Sequence, residues 1–386
     1  MRTRMAAIAI SAIAALAVAG CGSSAAGGDG GSPSSPAGES SGSASSPSSS
    51  SLNFSAADVE ALGGQKNVDY MIDLYNKAIA AKQNTITVYG ITATSSASLY
   101  EAFSKRFPGI KVEHVTIFGL ELQNRIASEQ ATGQYVVDNV SVGNADAVFV
   151  DDHGYIAEQN PPLGADLPAE YKPAGNTLFG ANEYLYTVAY NTDLVKEDEV
   201  PHTFEDLLDP KWAGQIALGD VLTGAPGFIN DAIRAGKITP DWLEKFAATK
   251  PQIVPSERDT FTAVSTGQAK LGLNNYIRGD AFLSKDNLPV KFVSDFTDGI
   301  SQGVYYRGTV KNAPNAIASD LLVAWWLTPE AMKLLSIQGQ AGLMPGAPPI
   351  VGQPPLSEMN INPAPPLDKY NDETATGAKL FKKVFG

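Results

Sequence analysis

Cysteine is all but absent from this chain. Cys21 is the only one, which excludes an intrachain disulfide and a cluster of thiolates on a metal. Histidine is scarce too, with 3 residues. His114 reads as part of a strand and His202 as part of a helix start. His153 follows Asp151-Asp152 in what reads as loop polarity, since three adjacent residues rarely close on one ion. No Gly-x-Ser-x-Gly elbow, His-Glu-x-x-His pair or Gly-rich Lys-Ser/Thr phosphate loop occurs, which argues against a hydrolase. Positive charge is short: 28 Lys and Arg stand against 41 Asp and Glu, a net −13. That balance disfavours nucleic acid and anionic lipid surfaces as partners. After the first twenty residues no apolar run reaches membrane-spanning length.

What is present begins at the N-terminus. Arg2 and Arg4 precede a largely apolar run from Met5 to Val18, the pattern of an export signal and too short for a spanning helix. Val18-Ala19-Gly20-Cys21 resembles the bacterial lipobox. The resemblance implies removal of residues 1–20, a lipid on Cys21, and a chain held by that lipid at the extracytoplasmic face of the cell membrane. The alternative is an ordinary secretory signal with a chance cysteine. Residues 22–51 are almost wholly Ser, Gly, Ala and Pro and cannot bury enough surface to offset their ordering entropy. With Cys21 they read as a disordered tether, 21–51, whose span is roughly 30 Å.

The body, from Leu52 onward, alternates strand and helix. Ser55 and Asp58 mark a helix start, and Val68, Met71, Ile72, Tyr75 and Ile79 share one helical face. Thr85–Tyr89 and Ile110–Ile117 read as strands, each followed by a helix; Ala147–Val150 reads as a short buried strand ending in Asp151-Asp152. Tyr184–Thr192 is a long aromatic strand, and Thr239-Pro240-Asp241 opens a helix. Strands are expected at Gln215–Leu218, Leu271–Asn274, Val290–Val293 and Gly303–Val310, and helices at Ile317–Trp326 and Pro329–Gln338. Trp325-Trp326 reads as core. The proline-rich tail 345–368 is expected to wrap the surface. The alternation argues an α/β fold with mostly parallel sheet.

Several stretches carry a family resemblance: Ile86–Gly90, Phe107–Val112, Asn144–Phe149, Tyr190–Thr192, Phe204–Gly214, Gly272–Tyr276, Lys311–Asn315 and Leu327–Ala331. In this order they resemble the extracellular solute-binding proteins of bacterial ABC importers, in the branch typified by ferric-iron-binding proteins. The resemblance implies a two-lobed type II periplasmic-binding-protein-like fold, each lobe a mostly parallel sheet flanked by helices. Lobe 1 would comprise 52–183 with 300–386, and lobe 2 would comprise 184–299 with the hinge strands. Tyr184–Asn191 and the stretch near Phe292–Gly303 would be the two crossings. It implies a monomer that clamps a small molecule or ion between its lobes, without a cofactor, and delivers it to membrane permease subunits. A solute-sensing partner of a membrane receptor is the alternative role.

The ligand set departs from the iron-binding pattern. Members with iron typically present Asn-Asn-Tyr-Tyr; here the residues are Asn274-Asn275-Tyr276-Ile277-Arg278, one phenol short. No His follows the first strand, and Asp151 or Asp152 is left to supply an acid. If iron is held, Tyr276 and Asp152 are the expected ligands, which are too few for a hard trivalent ion. Tyr305-Tyr306 cannot replace the pair, since neighbours on a strand point to opposite faces. The remaining groups suit an anion. Thr92, Thr94, Ser95 and Ser96 open a helix whose free N–H groups attract negative charge, and Thr223, Gly224 and Ala225 do so on the facing lobe. Arg278 adds a positive fork beside Asn275 and Tyr276. The expectation is a phosphorylated or carboxylated organic solute, with ferric iron or a ferric–anion complex as the alternative.

Overall fold

The computed structural model describes residues 52–91, 93–173, 175–219, 227–279, 283–284 and 286–385, with backbone alone for 93–95. The expected signal, Cys21 and the tether lie outside the described residues.

Local signals set the first elements. Ser55 accepts the Asp58 amide while the Asp58 carboxylate accepts the Ser55 amide, a reciprocal cap on helix α1, Ala56–Ala61. Val68, Met71, Leu74, Tyr75 and Ala78 form the buried face of α2, Gln65–Ala80. Strand β1, Thr85–Gly90, leads to α3, Ala93–Arg106. Strand β2, Lys111–Thr116, leads to α4, Gly119–Thr132, which Gly133 stops at φ 70°.

At the third strand the expectation fails. Ala147–Val150 lies inside a helix, α5, Asn144–Asp152, and the strand is β3, Asn139–Gly143. Ala147 and Val150 are both buried, a three-residue spacing that shares one helical face. A four-residue apolar run does not distinguish a buried strand from such a face.

The chain continues through β4, Phe179–Asn191; β5, Ile216–Leu218; α6, Gly227–Arg234; α7, Pro240–Ala248; β6, Gln252–Ile253; α8, Glu257–Ser265; and β7, Leu271–Tyr276. It returns through β8, Val290–Phe292, and β9, Ile300–Thr309. Then come α9, Ala316–Trp326; α10, Pro329–Ile337; β10, Ala341–Gly342; β11, Ile361–Asn362; and α11, Tyr370–Phe385. Phe292–Gly303 is largely the approach to the second crossing strand, which is β9 itself.

These strands form one sheet in the order β2-β1-β3-β9-β4-β7-β5-β6. Neighbours within β2-β1-β3 and within β7-β5-β6 are parallel. The junctions β3/β9, β9/β4 and β4/β7 are antiparallel. Two parallel halves are thus joined by two crossing strands. Helices cover both faces of the first half. One core there gathers Phe103, Phe107, Trp325 and Trp326, and a second gathers Tyr89, Ile126 and Tyr306. A third core, around Phe204, Phe228, Trp242 and Phe296, fills the second half.

Helix α11 was not legible in the sequence. Its Phe381 is 1% exposed within the core of the second half. Residues 380–385 therefore pack with 184–299, whereas the division drawn from sequence put all of 300–386 with lobe 1. Among the described residues no helix is long and apolar enough to cross a membrane.

Candidate functional site

Register locates the site. Strand β4 begins beside the first half, with Phe179 opposite Arg307, and ends inside the second, with Tyr190 opposite Leu271. The parallel strands of the first half run with β4 and those of the second run against it. Their carboxyl ends therefore point at each other across the middle of β4 and β9, and in open α/β sheets ligands bind outside those ends. Gly143, at the end of β3, is opposite Tyr305; Tyr276, at the end of β7, is opposite Tyr186.

Four tyrosines meet there. The Tyr184 ring lies 4.7 Å from that of Tyr276 and 4.8 Å from that of Tyr305, and Tyr186 lies 6.2 Å from Tyr276, all edge to face. Gly303 makes room for them, because a Cβ at that position would stand 2.7 Å from the Tyr186 ring. Tyr184 and Tyr305 are buried, while Tyr186 and Tyr276 keep part of their surface exposed. Burial raises the Tyr276 phenol above its ordinary value, and the Arg278 charge pulls against that rise. Tyr306 faces the opposite core, as alternation along β9 requires.

Arg307, two residues beyond Tyr305 on the same face of β9, is 3% exposed. It donates to Asn139 Oδ1 at 2.9 Å, Ser141 Oγ at 3.1 Å and Tyr100 Oη at 3.2 Å, and stacks 3.8 Å from the Trp326 ring centre. Among the described residues its Nε has no hydrogen-bond partner and no carboxylate pairs with it. Tyr100 in turn lies 3.4 Å from His114 Nδ1, and His114 Nε2 lies 3.0 Å from the Gly90 carbonyl. A carbonyl only accepts, so Nε2 carries a proton, and in the neutral ring Nδ1 accepts from the Tyr100 hydroxyl. Burial and the Arg307 charge lower the His114 pKa, against the pull of the Gly90 hydrogen bond. Asn144, the first residue after β3, is 7% exposed, and its Nδ2 lacks a partner among the described residues.

The residues expected from sequence fare unevenly. Tyr276 is at the site. Ser96 is buried near the start of α3, at the carboxyl end of β1. Thr92, Thr223, Gly224 and Ala225, and the side chains of Thr94 and Ser95, lie outside the described residues. Arg278 is close, but its charge is matched: Nη1 and Nη2 meet Glu257 at 3.0 and 3.1 Å, and the guanidinium stacks 3.7 Å from Phe261 and 4.0 Å from Tyr276. Asn275 is 0% exposed and turned beneath α8, where its amide packs against Gly272. Asp152 is at the wrong end. Nine residues of α5 carry it about 13 Å from the close of β3, to where Asp151 accepts the Thr177 hydroxyl at 2.6 Å. Tyr184, Tyr186, Arg307 and Asn144 were missed. The readable signal for Arg307 was its place two residues after Tyr305 in a strand.

Opposed strand ends over a pair of crossing strands define a two-lobed solute-binding protein of the type II periplasmic kind. A family model, bacterial extracellular solute-binding protein, matches residues 98–360, and the chain belongs to that family. It is similar to Iron uptake protein A1 of Synechocystis sp., 27% identical over 259 residues, 62% of this chain and 69% of that one. It is also similar to a probable ABC transporter periplasmic-binding protein, y4fP, of Sinorhizobium fredii, 24% identical over 287 residues, 70% and 77% of the two chains. Among solved structures, iron-bound HitA from Pseudomonas aeruginosa matches with a TM-score of 0.64 at 18% identity, over 78% of this chain and 99% of that one. The substrate-binding protein of an ABC transporter from Agrobacterium tumefaciens matches with a TM-score of 0.66 at 18% identity, over 78% and 93%. As a member of that family, this chain is an extracellular solute-binding protein.

Proposed function

We propose that the protein captures a small anionic solute, carboxylated or phosphorylated, over the tyrosine face between its lobes. The observation that carries this reading is Arg307, a buried cation on that face whose hydrogen-bond partners among the described residues are all neutral. A buried charge without a counterion is costly, and a solute carboxylate or phosphate near the site would offset it. The unpartnered Asn144 amide supports the same sign of charge. Closure would be a hinge motion on β4 and β9. The lipid on Cys21 and the tether 21–51 would keep the monomer close to its permease and raise its effective concentration there. In this reading the protein binds and releases its guest without altering it.

The test is a thermal-shift and calorimetric screen of carboxylates, phosphate esters, polyamines and ferric citrate. Arg307→Gln is expected to weaken binding of the anionic hit by ~10-fold or more, the loss of one charge-assisted contact. An unchanged Kd would remove the reading.

A second reading, ferric iron or a ferric–anion complex, is favoured by the four clustered phenols and by the similarity to Iron uptake protein A1 and to iron-bound HitA. Its signature is a visible phenolate-to-iron absorption band that disappears in Tyr276→Phe.

A further inference from the structure

Everything past residue 360 lies beyond the part of the chain that the family model matches, yet it is built into both halves. We propose that residues 361–385 form a strap that ties the lobes together across hinge strand β9 and limits how far they open.

The strap is fastened at three places. At the hinge, β11 pairs in parallel with β9, Ile361 opposite Ile300 and Asn362 opposite Ser301. The Ala364 amide donates to Gln302 Oε1 at 2.9 Å, and Gln302 in turn donates to the buried Glu183 of β4. On the second half, α11 lies against α6 with Gly377 pressed onto Asn230, leaving no space for a Cβ. Arg234 of α6 bonds the Pro363 carbonyl and lies 3.6 Å from Glu373. Phe381 closes that core.

On the first half, Ala364 and Leu367 pack against the core that contains Tyr89, Ile126 and Val150. Burial raises the Tyr370 phenol, and two carboxylates reinforce the rise, Asp231 from α6 and Asp146 from α5. The helix that Tyr370 opens touches both α6 and α5, one helix of each lobe. Opening the lobes has to pull Leu367 and Tyr370 away from α5 while Phe381 holds the far end fixed. Those contacts oppose opening and none of them involves the solute.

The strap rests on the hinge motion of the proposed function but not on the identity of the solute, so it is tested with no solute added. The double variant Leu367→Ser/Tyr370→Ala leaves α11 anchored and cuts the first-half contacts. We expect a larger radius of gyration by small-angle scattering and ~10-fold faster amide exchange in residues 300–309, a local rather than global loss of protection. Wild-type scattering and exchange in a folded double variant overturn the strap. Should that variant fail to fold, Gln302→Met removes the acceptor of the Ala364 amide, and the same two readouts decide. Failure of every anion in the screen would sink the solute assignment and leave these results standing.

Discussion

At the scale of single residues, the site is held by groups whose charge is set by what surrounds them. Arg278 was legible as a cation near Tyr276, but a sequence cannot show that Glu257, twenty-one positions earlier, folds against it from another element. Glu183 shows the same dependence on context. It is fully buried on β4, and desolvation pushes its carboxyl up to about 7 from 4.5, with the Gln302 bond pulling the other way. The folded state thus holds a proton that the unfolded chain has released. Its contribution to stability is full below about pH 4.5, falls as the pH rises towards about 7 and is flat above it. Asp231 and Asp320, both pushed up to about 6 mainly by burial, act in the same sense. Glu183→Gln removes the largest of these penalties, about 3 kcal/mol at 1.36 kcal/mol per unit. Its melting temperature is expected above that of the wild type at pH 8, with the gap closing towards pH 5. An equal gap at both pH values in calorimetry would contradict this account.

At the scale of elements, caps and turns were the most legible features. Ser55 with Asp58, and Thr239 with Pro240, sit where their chemistry put them, because capping is decided within four residues. The helix around Ala147 was misread because its period was too short to see. Helix α11 was passed over because proline-rich sequence precedes it and its apolar residues cluster late. Its docking turns on one position. Gly377 has no space for a side chain against Asn230, so Gly377→Val is expected to destabilise the protein by about 1–3 kcal/mol through overpacking. Chemical denaturation measures this; a neutral result would mean that α11 can shift without loss.

At the scale of the whole molecule, the α/β class and the two halves were readable from alternation and from family resemblance. The exact partner of β4 was not, since pairing between distant strands leaves no local mark. Because the halves share one sheet, they are expected to unfold together. Native-state hydrogen exchange should give the inner strands of each half, residues 86–89 and 271–273, limiting free energies within ~1 kcal/mol of each other. Two clearly separated levels would show independent halves. A continuous sheet also has no seam. The protein does not part like two shells, since β4 and β9 carry paired backbone from one half into the other. Admission of a guest has to come from twisting two ribbons about their length, and a stiffer ribbon at mid-span would slow entry and exit alike.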